Sequence, residues 1–343
     1  MNSILLFLLS LCQLLQKIRA QIILDTTMAT TAIVNNGQCL CHPGTTCPTH
    51  PTDGEIDIRI VNMGTTCPSG QVYCCGDTSD TSCGISKIPA TPHPPGEAAC
   101  GAYPWQVAIF NGNDYLGGGV LVGSKYVLTA AHKVWNYTGT CCTEVQIKAR
   151  LGAWKLSDQP IIGCNYPSVD ISISKVIPHP GFNPRYLLND IAVLRLSSNA
   201  PIATSPNINT ACLSCEPVDV GTRCWVTGWG KNAFGSNGMN QRILKEVDVP
   251  VISQQACETA LRKTRLGNKV TNYLDSSTMC AGGEAGKDAC TGDGGSPLVC
   301  PMKNGAYQVK GLVTWGIGCA DAGVPAVYAD LCNSLSWIKQ QMT

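Results

Sequence analysis

The period of apolar and polar positions changes several times along the chain. Residues 4–15 are mostly apolar, and residues 21–38 are polar and β-branched with no clear period. Asp53-Gly-Glu-Ile-Asp-Ile-Arg-Ile60 alternates apolar with charged side chains, which predicts a half-buried strand after an Asp-Gly turn. Residues 76–99 are rich in Ser, Thr, Pro and Gly; Pro89, Pro92, Pro94 and Pro95 predict an extended, solvated linker. Beyond it, residues 107–110 and 120–122 read as buried β segments separated by Gly117-Gly-Gly119. Tyr126-Val-Leu-Thr-Ala-Ala-His132 runs a strand into a short helical turn. Leu188-Asn-Asp190-Ile-Ala-Val-Leu-Arg-Leu196 alternates and then turns continuously apolar, as a buried barrel strand does. Residues 331–341 predict a closing amphipathic helix with Leu331, Leu335 and Ile338 on one face.

Composition narrows the class. Charged residues make up 14% of 343 positions, while 35 Gly, 21 Pro and 21 Cys are present. That combination suits a loop-rich, disulfide-stapled extracellular β protein. A formal net charge of +1 gives no bulk attraction to nucleic acid or membrane surfaces. The first apolar run, ending near Ala20, predicts a secretory signal peptide over residues 1–20; it is too short for a membrane span. Its removal takes Cys12 away and leaves 20 cysteines, an even number. Six of these, Cys39, Cys41, Cys47, Cys67, Cys74 and Cys75, crowd a segment too short to fold on apolar burial alone. His42 and His50 lie nearby, but the adjacent Cys74-Cys75 pair and the secretory signal favour disulfides over a metal site. Spacing leaves fifteen connectivities open. No cofactor motif is present.

The decisive stretch is Asp288-Ala-Cys290-Thr-Gly292-Asp293-Gly294-Gly295-Ser296-Pro297. It resembles the G-D-S-G-G-P nucleophile loop of trypsin-like serine proteases, with Gly294 where the serine belongs and a serine two residues on, at Ser296. The resemblance implies an all-β, two-barrel fold with a C-terminal helix, over residues 92–343. It assigns His132, in T-A-A-H, to the general base and Asp190 to the carboxylate that orients it. Glycine has no side chain to attack with, so the triad positions His132, Asp190 and Gly294 imply an inactive member. Ser296 is no substitute, because two residues of extended chain displace an atom by about 6–7 Å. The amides of Gly292 and Gly294 are the remnant of an oxyanion nest. Asp288 matches the acidic floor of a primary pocket whose walls include Thr314, Gly316 and Ala326. The methyl of Ala326 narrows that slot at a cost of about 1–3 kcal/mol. Cysteines usual beside the base and in the facing strand are replaced by Lys133 and Gly117, so that bridge is absent. The resemblance also pairs Cys224 with Cys300, Cys257 with Cys280, Cys290 with Cys319 and Cys83 with Cys212. It leaves Cys100, Cys141, Cys142, Cys164, Cys215 and Cys332 unassigned.

The segment Glu97-Ala-Ala-Cys-Gly-Ala-Tyr-Pro-Trp-Gln106 is similar to the stretch just after I-V-G-G in active proteases. Pro92-His-Pro-Pro95 then stands where the new terminus that pairs with Asp293 would start. Lys87–Ile88 is a basic site open to cleavage, but its new terminus would be four residues too long. The six-cysteine pattern over residues 39–75 resembles the clip domain of arthropod secreted proteases and their inactive homologues, which implies Cys39–Cys74, Cys41–Cys67 and Cys47–Cys75. Residues 21–38 are then a leader and residues 76–91 a linker. Asn136-Tyr-Thr138 is a glycosylation sequon. The family implies a secreted, haemolymph-like cofactor or regulator of a protease cascade leading to prophenoloxidase activation, melanisation and innate immunity. Its partners are a cascade clip protease, prophenoloxidase or both. A decoy or negative regulator, and an adhesion or microbial-surface binding protein, are the alternatives.

Overall fold

The computed structural model describes residues 83–138, 147–156, 164–231, 238–289 and 292–343, and the backbone alone of residues 39–43 and 71–75. The chain divides after Thr81 into two compact units. In the first, β1 (Cys39–Pro43) pairs antiparallel with β2 (Gln71–Cys75), setting Cys39 opposite Cys75. The expected signal peptide, leader, clip-domain bridges and Asp53–Ile60 strand lie outside the described residues.

The second unit is two closed six-stranded antiparallel barrels. The first is ordered β3 (Gln106–Asn111), β4 (Asp114–Gly123), β5 (Tyr126–Thr129), β8 (Ala192–Leu196), β7 (Val169–Pro178) and β6 (Ile147–Leu151). The second is ordered β10 (Lys245–Ile252), β11 (Thr278–Gly282), β14 (Pro325–Asp330), β13 (Tyr307–Trp315), β12 (Pro297–Pro301) and β9 (Arg223–Gly228). The apolar run around β8 has a physical cause. Ala192, Leu194 and Leu196 enter the first barrel's core, while Ile191 and Val193 enter a second cluster with Trp105, Leu128, Val299, Leu312 and Ile338. A strand with a core on each face is apolar wherever both faces are covered, and only Arg195, near its end, is exposed. Each fully buried Leu or Ile contributes about 1.5–3 kcal/mol.

The structure corrects two boundaries. Gly117-Gly-Gly119 does not separate strands but lies inside β4. A methyl on Gly117 would meet the carbonyl of Gly294 at 2.5 Å, and one on Gly118 would strike Ser296. Gly117 and Gly118 face the other barrel's loop, while a methyl on Gly119 would meet Leu128 and Val127 of the adjoining β5. The terminal helix begins at Leu335, not Leu331. Cys332 is bridged to Cys215, and its amide donates to Asp330 Oδ1 at 2.8 Å, which holds residues 331–334 in a turn. Leu331 and Ile338 are buried as expected.

The linker's last residues belong to the barrels. Cys83 is bridged to Cys212, Gly84 N donates to Thr210 O at 2.7 Å, and Tyr307 N donates to Gly84 O at 2.9 Å. Lys87 Nζ donates to the carbonyls of Ile202 and Ile208 at 2.6 and 3.0 Å, and Ile88 is buried. Cys224–Cys300 and Cys257–Cys280 are formed; Cys319 is disulfide-bonded, and Cys290 lies outside the described residues. Cys100–Cys164 and Cys215–Cys332 account for four of the six unassigned cysteines. Trypsin acting at Lys87 is expected to leave the chain at undivided mass on a non-reducing gel and to split it on reduction. Loss of the N-terminal fragment without reductant would contradict the Cys83–Cys212 tether.

Candidate functional site: the cleft between the barrels

His132 lies in α1 (Ala131–Val134), one turn directly after β5. Asp190 precedes β8, which pairs with β5, so neighbouring strands deliver both residues to one edge. The approach to Asp190 is tight, with Leu187 and Asn189 at φ of 55° and 52°. Asn189 N also donates to Ser277 Oγ at 3.0 Å, which anchors the turn. Asp190 is buried and gives both oxygens to His132. Oδ1 accepts from the His132 amide at 2.8 Å, and Oδ2 accepts from Nδ1 at 2.6 Å. With Nδ1 carrying the proton, Nε2 faces the cleft as an acceptor.

Gly294 sits beneath that nitrogen. A methyl placed on it would lie 3.0 Å from His132 Nε2 and 2.5 Å from Lys133 Cε. Its carbonyl accepts from Gly118 N at 3.1 Å, and Gly295 N donates to Val313 O at 2.8 Å, so the loop is held from both barrels. Ser296 faces the other way. It is fully buried, would be struck by a methyl on Gly118, and its Oγ accepts from Gln106 Nε2 at 3.5 Å. Asp293 Oδ1 accepts from Gly230 N at 2.8 Å. Residues 89–96, which include the expected position of the inserting terminus, are exposed.

Sequence reasoning missed Lys133 as a part of the site, noting it only as a lost bridge partner. Its stem fills the gap, lying 3.2–3.4 Å from where a Gly117 methyl would be and reaching the volume above Gly294. Two missing side chains beside one added long one was the available signal. Burial pushes the Lys133 amine below its ordinary range, against the pull of Asp190 and Asp293.

A cavity of about 210 Å³ opens from this point, lined by His132, Lys133, Gly292 and Gly294 and continuing to Thr314, Gly316 and Ala326. Thr314 Oγ1 donates to Leu312 O at 3.2 Å, and Ala326 is buried. Asp288 lies behind these walls, its Oδ2 accepting from Ala320 N at 3.1 Å, and burial pushes its carboxyl up to about 6. Asn136 is exposed, in a 3₁₀ turn rather than a loop. No group of His, Cys, Asp or Glu able to hold a metal occurs among the described residues.

A family model described as trypsin matches residues 96–338. The chain belongs to the trypsin family. Its relatives there include insect inactive CLIP domain-containing serine proteases. It is 44% identical, over an alignment of 332 residues, to the inactive CLIP domain-containing serine protease A3 of Aedes aegypti, covering 88% of this chain. The chain spans 66% of that protein's length. It is 43% identical to phenoloxidase-activating factor 2 of Galleria mellonella, covering 72% of this chain and 82% of that one. The solved structure of neuropsin, a serine protease of mouse brain, superposes with a TM-score of 0.58 at 31% identity, over 72% of this chain and 98% of that one.

In this trypsin-family chain Asp288 gives a signed pH dependence. Its folded value is raised above the unfolded 3.8, so the folded state holds the extra proton between about pH 4 and 6. Stability from this group is present below pH 4 and lost as pH rises through 6. Asp288→Asn is expected to match wild type at pH 4 and exceed it at pH 7 by on the order of 1–3 kcal/mol in urea unfolding. Equal differences at both pH values would refute the assignment.

Proposed function

We propose that the chain is a secreted, non-catalytic clip-domain protease homologue that acts as a cofactor or regulator of an extracellular protease cascade leading to prophenoloxidase activation and melanisation. In this reading residues 1–20 are a signal peptide and residues 39–75 a clip domain. The protease-like domain takes up the rest of the chain after the linker. The observation that carries it is Gly294 beneath an intact His132–Asp190 pair. The base is oriented and the nucleophile position holds no side chain. Losing a triad serine costs on the order of 10⁶ in rate, and the buried Ser296 cannot share His132 with that position. Relatives named as inactive, and one named as a phenoloxidase-activating factor, support the same reading.

The fold then serves as a scaffold that brings a prophenoloxidase or a cascade protease into register, with cleavage at Lys87 as the regulatory step. The test combines prophenoloxidase, an active clip protease, and this chain either intact or cut at Lys87. Phenoloxidase activity is expected to rise only with the cut form. A fall would make the chain a decoy, and no change would move the reading to adhesion or microbial-surface binding.

Replacing the missing side chain alone is expected to restore nothing. A serine at Gly294 would have to displace the end of Lys133, and residues 89–96 would still be exposed rather than inserted, so Gly294→Ser is expected to stay at background against peptide esters and to remain unlabelled by a fluorophosphonate. Gly294→Ser combined with Lys133→Ala opens that volume, and any labelling is expected there first. Turnover by the single variant would show that Lys133 does not obstruct the site.

A further inference from the structure

Lys133 brings a cation beside Gly294 and His132, and the structure gives that side chain a cavity to face. The ammonium-bearing carbon lies in the volume a Gly294 side chain would take, and the side chain lines the cavity mouth with His132. Its ammonium has no hydrogen-bond or ion-pair partner among the described residues. The two carboxylates that attract it are engaged elsewhere. Both oxygens of Asp190 are taken by His132, and Asp293 accepts from Gly230 N. A half-buried cation without a contact partner has lost hydration that an entering anion would replace.

Immediately beside the cation the walls become apolar, formed by Ala289, Val313, Trp315 and Ala326. Asp288 is not among the described residues lining the cavity. A ligand that satisfies both parts carries an anion and an apolar substituent on adjacent atoms. The end of a polypeptide does so, with its α-carboxylate next to its last side chain. We infer that the cleft is a binding site for the C-terminal carboxylate of a peptide, with the Lys133 ammonium as its anchor and the apolar cavity taking the last side chain. The inference rests on the cleft being non-catalytic. It leaves the cascade role aside: a scaffold holding this site would recognise chain ends, including those newly made by a neighbouring protease.

The test uses the full secreted chain and a fluorescein-labelled Gly-Gly-Ala-Leu peptide as free acid and as amide, with binding read by fluorescence anisotropy. The acid is expected to bind about tenfold or more tightly than the amide, since charge-assisted hydrogen bonds are the stronger kind. Lys133→Gln is expected to remove that preference and Lys133→Arg to keep it. Inorganic phosphate is expected to compete more weakly than unlabelled peptide acid, because it supplies the anion without the apolar part. Equal binding of acid and amide by the unaltered chain would overturn the inference, whatever the variants do. So would phosphate displacing the peptide as well as the peptide acid does, or no binding of either form at millimolar concentration. A fluorophosphonate control on the same sample separates the two readings: labelling would sink the non-catalytic assignment, while its absence with no acid preference would sink only the carboxylate site.

Discussion

The carbonyl of Gly294 accepts a hydrogen bond from the amide of Gly118, and no side chain fits between the two strands of backbone that this bond joins. The contact lies between one barrel's second strand and the other barrel's loop. It fixes the height of Gly294 under His132, and Gly295 N on Val313 O fixes its other side. Around that seam the same economy recurs. Gly228 and Gly230 leave room for the carboxylate of Asp293, and a methyl on Gly295 would strike Thr129. A framework built this closely needs no side chain at Gly294 to keep its geometry, because the geometry is held by backbone.

The region of the base is stabilised differently from the rest. A native bridge is worth about 2–5 kcal/mol in small secreted domains, and the position where one would staple this loop carries Lys133 and Gly117 instead. The lysine stem returns part of that as packing, since long charged side chains bury their methylenes while the head stays near water. Elsewhere the cross-links are long-range: Cys83–Cys212 and Cys215–Cys332 span 129 and 117 residues. The termini of the barrel unit are thus fastened covalently, while the loop carrying His132 is held by hydrogen bonds and packing.

Much of this was legible in the residues. His132 and Asp190 stand in runs marked by their resemblance to family motifs and by their chain order, and the double-cored β8 announced itself by its lack of alternation. What the sequence hid was tertiary. A glycine triplet reads as a break between strands unless the partner backbone 170 or more positions away is known, and local propensity contains nothing of Gly294. The helix start was misplaced because apolar spacing continues through residues 331–334, while the Cys215 bridge and Asp330 hold them in a turn. The linker's composition is that of a solvated chain, yet residues 83–88 are bound by the Cys83 bridge, backbone hydrogen bonds, Lys87 and the buried Ile88, most of which leave no trace in hydropathy. Lys133 was legible only as an absence of cysteine.

The span of the Cys83 bridge has a consequence for the order of synthesis. Its partner, Cys212, comes after β8, so every strand of the first barrel has been made before the bridge can close. At roughly 5–20 residues per second, the 129 residues between them take about 6–26 s to emerge. For that interval Cys83 has no Cys212 to pair with. The bridge can therefore close only after every strand of the first barrel has been synthesised, and only from then on would a cut between Cys83 and Cys212 leave the two pieces joined.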